Sequence, residues 1–175
     1  KAAPAAQAAA SAYRTITTKK DLASLVKDAN ASGRIGLHIE NSDANGMRGL
    51  PIGIAIATAP GEAAYIPVGH NPGLGDAQQL ALQAVLDALR PLLESATLQK
   101  VTHNGHFDFL VLANNGVTAR GMRFDTLIAS YLLGDANISV RNLALERLDM
   151  HIPALNDLIG KAGKIVRLIR VMRIL

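Results

Sequence analysis

The chain has 175 residues, enough for one domain with its own core, and 49% of them are hydrophobic while 3% are aromatic. Cysteine is absent, which excludes a disulfide framework and a thiolate metal site and fits a reducing cytoplasmic location. The longest weakly polar run, Leu50 to Pro60, is about half of the ~20 residues that a membrane helix needs, so no membrane span is predicted.

The net charge of +4 comes from the C-terminal end of the chain. No acidic residue follows Asp157, whereas five basic residues do: Lys161, Lys164, Arg167, Arg170 and Arg173. Without those five, 13 basic residues stand against 14 acidic ones, so the body of the chain gives no sign of nucleic-acid binding by charge. The spacing of the last cations predicts a basic amphipathic tail over 164–175, with a membrane-surface or anionic-polymer contact as the weaker alternative.

The first half of the chain is predicted to form a helix and a meander of strands. Residues 1–12 are rich in Ala and are interpreted as an interdomain linker. A helix is expected to begin in the capping segment 17–21 and to stop at Gly33. Apolar residues at every second position then predict a three-stranded meander: Ile35–Glu40, Leu50–Thr58 and Ala63–Val68.

The second half alternates helices with short strands. Asp76 is predicted to cap a helix whose apolar stripe runs from Leu82 to Leu93, with a kink at Pro91. A strand over Leu98–Thr102 is followed by a helix over His106–Asn115 and a strand over Met122–Phe124. Another helix follows Phe124, and a last helix, capped by Ser139, covers Val140–Leu148. Four residues of the helix after Phe124 are expected to face inward: Leu127, Ile128, Tyr131 and Leu132. Parallel strands need helical crossovers, so this order predicts an α/β fold with a mixed sheet and helices on its faces.

Few side chains in this pattern suggest chemistry by themselves. His38 and Glu40 leave the same face of a strand, about 6.6 Å apart at Cα, so they can share one ligand or lie on an exposed strand edge. Asp108 falls in the first turn of a helix, where the helix dipole favours a carboxylate whatever its function. His103 and His106 lie nearby, but two histidines beside one Asp do not make a closed zinc site.

The order of several segments is more specific than any one of them. They are Ile35–Glu40, Gly53–Ile56, Pro60–His70, Arg90–Glu94, His103–Asp108, Gly121–Leu133 and Leu158–Lys161. Together they closely resemble the 3′-5′ proofreading exonuclease domain of bacterial DNA polymerase I, the family A polymerases, over about Tyr13 to Lys164. The resemblance implies a ribonuclease H-like mixed β-sheet flanked by helices, in a domain that covers residues 13–163.

The resemblance also implies a two-metal site that hydrolyses the 3′-terminal phosphodiester of single-stranded DNA. Four carboxylates hold Mg²⁺ or Mn²⁺ in that family, and such hard cations prefer oxygen ligands. Glu40 and Asp108 match two of the four positions and are the candidate catalytic and metal-binding residues. His38 stands where the family has its first Asp, and no Tyr follows Tyr131, so the family's Tyr-x-x-x-Asp segment has no counterpart here.

Further positions are assigned by the same resemblance. Asn104 and Phe107 fall where the family lines the terminal nucleotide, and they are candidate substrate-binding residues. Asp125 corresponds to a helix cap rather than to the missing carboxylate. Ala44 lies near a position where the family has a Leu that wedges between terminal bases, so only weak contact with a DNA 3′ end is expected.

Two functions are compatible with these matches. The first is a proofreading exonuclease domain of DNA polymerase I whose cleavage is impaired or lost. The second is a non-catalytic exonuclease-like module that supports a polymerase domain of the same parent chain. Weak or absent binding of Mg²⁺ or Mn²⁺ is expected in both, because two of the four carboxylates are missing, and this deficit favours the second function for this chain.

Overall fold

The computed structural model describes residues 12–43, 45–70 and 78–152. Within these ranges six strands form one mixed sheet in the spatial order β1-β4-β3-β2-β5-β6. The strands are β1 (Ala12–Thr15), β2 (Arg34–Asn41), β3 (Pro51–Ala59), β4 (Glu62–Pro67), β5 (Gln99–Thr102) and β6 (Met122–Asp125). The helices are α1 (Lys19–Ser32), α2 (Leu82–Leu93), α3 (Gly105–Asn114), α4 (Thr126–Leu133) and α5 (Val140–Leu148).

The strand pairing confirms the predicted meander and the mixed sheet. β3 lies antiparallel between β2 and β4, whereas β5 pairs parallel with β2 and β6 pairs parallel with β5. β1 pairs parallel with β4 at the sheet edge and was not predicted, because four residues alternate too briefly to give a period-two signal. β1 begins at Ala12, one residue inside the segment that we interpret as a linker.

The main core lies on one face of the sheet, under α1, α2 and α3. β2 contributes three buried side chains to this core: Ile35, Leu37 and Ile39. The predicted apolar stripe of α2 packs there as well. The opposite face carries Gly36, His38 and Glu40, because successive side chains of a strand point to opposite faces. Helices α4 and α5 lie on this second face, where their side chains and Gly36 line a common groove.

Local signals place most helix ends correctly. Gly33 ends α1 in the left-handed conformation, with φ of 66°, and the Ser139 side chain accepts a hydrogen bond from the backbone of α5. The cap at Asp76 is wrong, because α2 begins at Leu82 and Asp76 itself lies outside the described residues. Residues just before α2 are not helical. The Gln79 side chain there accepts a hydrogen bond from the backbone N–H of His70 and donates one to its C=O, both at 2.8 Å.

The predicted inward face of α4 is also wrong. Ile128, Tyr131 and Leu132 are more than half exposed, and Ser130 is the buried residue of this helix. The described elements beside α4 are β5, β6 and α5, and these leave most of its apolar surface uncovered. Thr126 and Ser130 share one face of this helix, so periodicity predicts that this face points to solvent, whereas Ser130 is buried and donates to Asp135 at 2.6 Å.

Several predicted features lie outside the described residues. They are the linker as far as residue 11, the wedge position Ala44, the segment Leu158–Lys161 and the basic tail 164–175. A bilayer span needs about 20 apolar residues in one helix. None of the helices in the described ranges meets that requirement.

Lys100 of β5 is a fully buried cation in the core. Its Nζ donates to the backbone carbonyls of Ser95 at 2.7 Å and Leu98 at 3.1 Å. No carboxylate in the described ranges forms an ion pair with it. Burial lowers the pKa of Lys100 to about 8, because the charged form has lost its water.

The buried lysine predicts a pH-dependent stability. Its folded pKa of about 8 lies below the ordinary 10.5, so the folded protein releases this proton first and Lys100 favours folding increasingly from about pH 8 to 10.5. Relative to the Lys100→Met variant, the unfolding free energy should therefore rise with pH by at most about 1.4 kcal/mol per unit. Urea unfolding at a series of pH values measures the difference, in which other titrating groups cancel. A pH-independent difference would contradict the prediction.

Candidate active site

The candidate site lies near the C-terminal end of β2. His38 and Glu40 project there from the sheet face opposite the main core, while Leu37 and Ile39 between and beside them are buried. β2 lies between β3 and β5, so the alternative that these two polar residues mark an exposed strand edge is wrong. The site is therefore built on an interior strand with little freedom to move.

Helix α3 brings Asp108 against this strand. The turn before the helix is tight: Asn104 has φ of +68°, and a Cβ at Gly105 would collide with the Thr102 side chain. Asp108 follows in the first helical turn and is 1% exposed. Its Oδ1 accepts a hydrogen bond of 3.2 Å from the backbone N–H of Ile39, which fixes the start of α3 to β2.

The three side chains meet through the imidazole of His38. Its Nδ1 lies 3.3 Å from Oδ1 of Asp108, and its Nε2 lies 3.7 Å from Oε2 of Glu40. The ring thus stands between the two carboxylates that the resemblance assigns to metal binding. Oδ2 of Asp108 is buried and has no hydrogen-bond partner among the residues that the structure describes.

Electrostatics make His38 a cation in this arrangement. Burial opposes its protonation, but hydrogen bonds and charge interactions with Asp108 and Glu40 outweigh burial and raise the pKa of His38 to about 10. Burial also raises the pKa of the Asp108 carboxyl, while His38 and the Ile39 N–H act in the opposite direction. The two carboxylates therefore favour the protonated form of the His38 imidazole between them.

Asp125 acts as the helix cap that the resemblance implies. Its side chain accepts from the backbone N–H of Leu127 at 2.9 Å in α4, and from those of Asn104 at 3.1 Å and Gly105 at 2.7 Å before α3. Burial would raise the pKa of Asp125, but these backbone donors outweigh it and lower the pKa. The Thr102 hydroxyl also donates to this carboxylate, at 3.3 Å, so each of its oxygens accepts two hydrogen bonds and the group joins the starts of two helices.

The two candidate substrate residues differ in accessibility. Asn104 is exposed and its side chain makes no capping hydrogen bond. Phe107 is half-buried against the core, and a Cβ at Gly46 would come within 3.1 Å of its ring. The loop after β2 is held over this ring by Asn114, whose Nδ2 donates to the carbonyl of Gly46 at 2.9 Å. Asn104 is therefore better placed than Phe107 to contact a ligand.

Sequence reasoning missed a Tyr–His pair beside Glu40. The hydroxyl of Tyr65 lies 2.6 Å from Nε2 of His70 and stands directly over Gly53, the β3 partner of Glu40. Burial and, to a smaller extent, the negative charge of Glu40 raise the pKa of Tyr65. Burial lowers the pKa of His70, and the charge of Glu40 opposes this shift only in part. The antiparallel register, which places Tyr65 in the row of His38, is the signal that could have found it.

These side chains do not fit a pair of divalent cations. In the described ranges, no group of three or more His, Asp, Glu or Cys side chains is arranged to hold a metal ion. A protonated imidazole has no free lone pair for a metal, and here it also engages both carboxylates. Among the described residues of this site, only Oδ2 of Asp108 is a buried oxygen without a partner.

Comparison with known proteins agrees with the fold and the motif order. A family model described as 3′-5′ exonuclease matches residues 13–165. DNA polymerase I of Chloroflexus aurantiacus is 33% identical over 153 residues, which are 86% of this chain and 15% of that protein. DNA polymerase I of Pseudomonas aeruginosa is 30% identical over 156 residues, which are 87% of this chain and 17% of that protein. The chain therefore spans less than a fifth of the length of either relative.

A solved structure shares the same architecture. The catalytic core of RRP6 from Trypanosoma brucei matches with a TM-score of 0.70 at 17% identity, over 99% of this chain and 45% of that one. This likeness confirms the ribonuclease H-like fold. The family match over residues 13–165 and the two relatives show that this chain belongs to the 3′-5′ exonuclease family of the DNA polymerase I proteins.

Proposed function

We propose that this chain is the exonuclease domain of a DNA polymerase I in which cleavage of DNA 3′ ends is strongly impaired. The observation that supports the proposal is the position of His38 between Glu40 and Asp108. Two-metal hydrolysis of a phosphodiester needs anionic oxygens around both cations. Here a positive ring occupies the space between the two matching carboxylates and offsets half of their charge.

The same geometry favours a structural role for the site. Asp108 holds the start of α3 against β2 through the Ile39 N–H, and His38 joins it to Glu40. An ion pair that links a central strand to a helix stabilises the domain without a ligand. This role supports the alternative function, a non-catalytic module that supports a polymerase domain of the same parent chain.

Contact with DNA is proposed to be weak and local. Asn104 is exposed at the start of α3 and is proposed to contact the terminal nucleotide. Phe107 is proposed to line the same position through the edge of its half-buried ring. The domain is proposed to act near a single-stranded 3′ end held by the rest of the polymerase.

Metal titration tests the proposal directly. At millimolar Mn²⁺ or Mg²⁺, calorimetry should detect no stable binding of two ions to the unaltered chain, because His38 lies between the two carboxylates and offsets half of their charge. His38→Asp removes the internal cation and adds an oxygen ligand, so it should gain binding of at least one ion. Adding Glu40→Gln to His38→Asp is the matched control and should reduce that gain. Two Mn²⁺ ions about 4 Å apart beside Glu40 and Asp108 in a crystal of the unaltered chain would overturn the proposal.

A further inference from the structure

Three asparagines of the chain are followed directly by glycine: Asn45, Asn104 and Asn115. An Asn–Gly pair can rearrange without an enzyme, because glycine has no Cβ to hinder its own nitrogen and lets the backbone bend. The glycine nitrogen loses its proton to hydroxide and attacks Cγ of the asparagine. A bond between that nitrogen and Cγ forms, the bond from Cγ to Nδ2 breaks, and Nδ2 takes a proton from water and leaves as ammonia. Water then opens the cyclic imide to aspartate or isoaspartate.

Two of the three glycine nitrogens are held by hydrogen bonds in the fold. The N–H of Gly105 donates to Oδ2 of Asp125 at 2.7 Å, and a carboxylate so close opposes removal of that proton. The N–H of Gly116 donates to a carbonyl of α3 at 3.0 Å. The carboxamide of Asn115 is turned back along the same helix, where it donates to the Val111 carbonyl at 2.8 Å. Attack at either asparagine therefore needs local unfolding first.

Asn45, in the loop between β2 and β3, has different surroundings. The residue is exposed, and its Oδ1 accepts a hydrogen bond of 2.9 Å from the N–H of Met47. The carboxamide is thereby folded forward over the Gly46 peptide, which brings Cγ toward the nitrogen that must attack it. No group in the described ranges accepts a hydrogen bond from the N–H of Gly46. This nitrogen therefore loses its proton without first breaking a hydrogen bond.

We propose that Asn45 is a site of spontaneous deamidation in the folded protein, whereas Asn104 and Asn115 are protected. In the isoaspartyl product the main chain runs through Cβ and Cγ and is longer by one carbon. The carbonyl of Asn45 accepts from the backbone N–H groups of Arg48 and Gly49 at 3.0 and 3.1 Å. After the reaction this carbonyl belongs to a free carboxylate beside the chain, so the turn loses its acceptor and gains a negative charge.

The affected loop lies over Phe107, a candidate substrate-binding residue. Gly46 is buried against the Phe107 ring, and Asn114 donates to the Gly46 carbonyl at 2.9 Å. A longer main chain before Gly46 displaces this carbonyl and loosens the loop over the ring. The reaction needs neither DNA nor a metal ion, so the proposal is independent of whether the candidate active site is impaired.

Peptide mapping by mass spectrometry follows all three asparagines in one sample. The full chain is kept for days in warm, mildly alkaline buffer made with heavy-oxygen water, once folded and once in guanidinium chloride. Without the fold, the three Asn–Gly pairs should incorporate the label at similar rates. In the folded protein Asn45 should stay close to that rate, while Asn104 and Asn115 should slow by about tenfold or more, because a hydrogen-bonded N–H must first open.

Asn45→Gln is the matched control. The longer side chain closes a cyclic imide far less readily, so label at position 45 should be lost while Asn104 and Asn115 keep their rates. Labelling of Asn45 in the folded protein that is as slow as that of Asn104 and Asn115 would overturn the proposal. So would protection of Asn45 with rapid labelling of either of the other two.

Hydrogen exchange gives a second readout, on the isolated isoaspartyl form. The backbone N–H groups of Arg48 and Gly49 should exchange severalfold faster in this form than in the Asn45→Asp variant, which adds the charge without lengthening the main chain. Equal exchange in the two proteins would show that the turn survives and would contradict the proposed effect on the loop.

Discussion

Incubated with Mg²⁺ and a 5′-labelled single-stranded oligonucleotide, the unaltered chain is expected to give no digestion from the 3′ end above a metal-free control. Only Glu40 and Asp108 match the four carboxylates of the family, and His38 binds both of them. Each 1.36 kcal/mol lost from the stabilisation of the transition state slows a reaction by about tenfold. Loss of ligands to both ions should therefore cost several powers of ten in rate.

Cleavage should return only when the family's first Asp and its Tyr-x-x-x-Asp segment are both restored. His38→Asp alone is expected to improve metal binding but to recover little turnover, because the Tyr-x-x-x-Asp segment is still missing. Replacing residues 164–175 by a helix with that motif, together with His38→Asp, should give measurable digestion. Asp108→Ala in the restored protein is the control and should abolish it.

Digestion by the unaltered chain would contradict the prediction. Robust Mg²⁺-dependent digestion by the unaltered chain, lost in Glu40→Ala, would show that two carboxylates suffice and that impairment is wrong. Digestion that survives Glu40→Ala would instead point to a contaminating nuclease. Gel analysis of the product ladder distinguishes stepwise removal of 3′ nucleotides from internal cuts.

Asp108→Ala in the unaltered chain is expected to lower the unfolding free energy by roughly 2 kcal/mol, because it leaves the buried Ile39 N–H without its acceptor and removes one ion-pair partner of the half-exposed His38. Glu40→Gln should cost less, since Glu40 is more exposed and lies 3.7 Å from the ring. Urea unfolding of the three proteins at neutral pH measures both differences.

The pH dependence separates an ion pair from general damage to the core. The pKa of His38 is about 10 in the folded protein and 6.5 ordinarily. The stabilisation from its charge is therefore complete below about pH 6.5 and is lost as the pH rises through about 10. The cost of Asp108→Ala should shrink over that range. A cost that stays constant up to about pH 10.5 would mean that the His38 charge contributes nothing.

Sequence alone determined the features that depend on neighbouring residues. The period-two pattern located the meander, and local capping chemistry located Gly33 and Ser139 as helix boundaries. The order of the motifs also placed His38, Glu40 and Asp108 in one site by resemblance. Their proximity in the structure agrees with that placement, while their catalytic and metal-binding roles stay predictions.

Tertiary structure alone decided features that depend on distant residues. The orientation of α4 could not be read from its periodicity, because the face that carries the polar Ser130 is the buried one, and only the neighbours β5, β6 and α5 determine which side is covered. The pairing of β1 with β4 and the Tyr65–His70 contact likewise required the sheet register. The same holds for His38: whether its ring would face solvent or bind both carboxylates depended on how α3 packs on β2, since burial and neighbouring charges, not residue type, set its protonation.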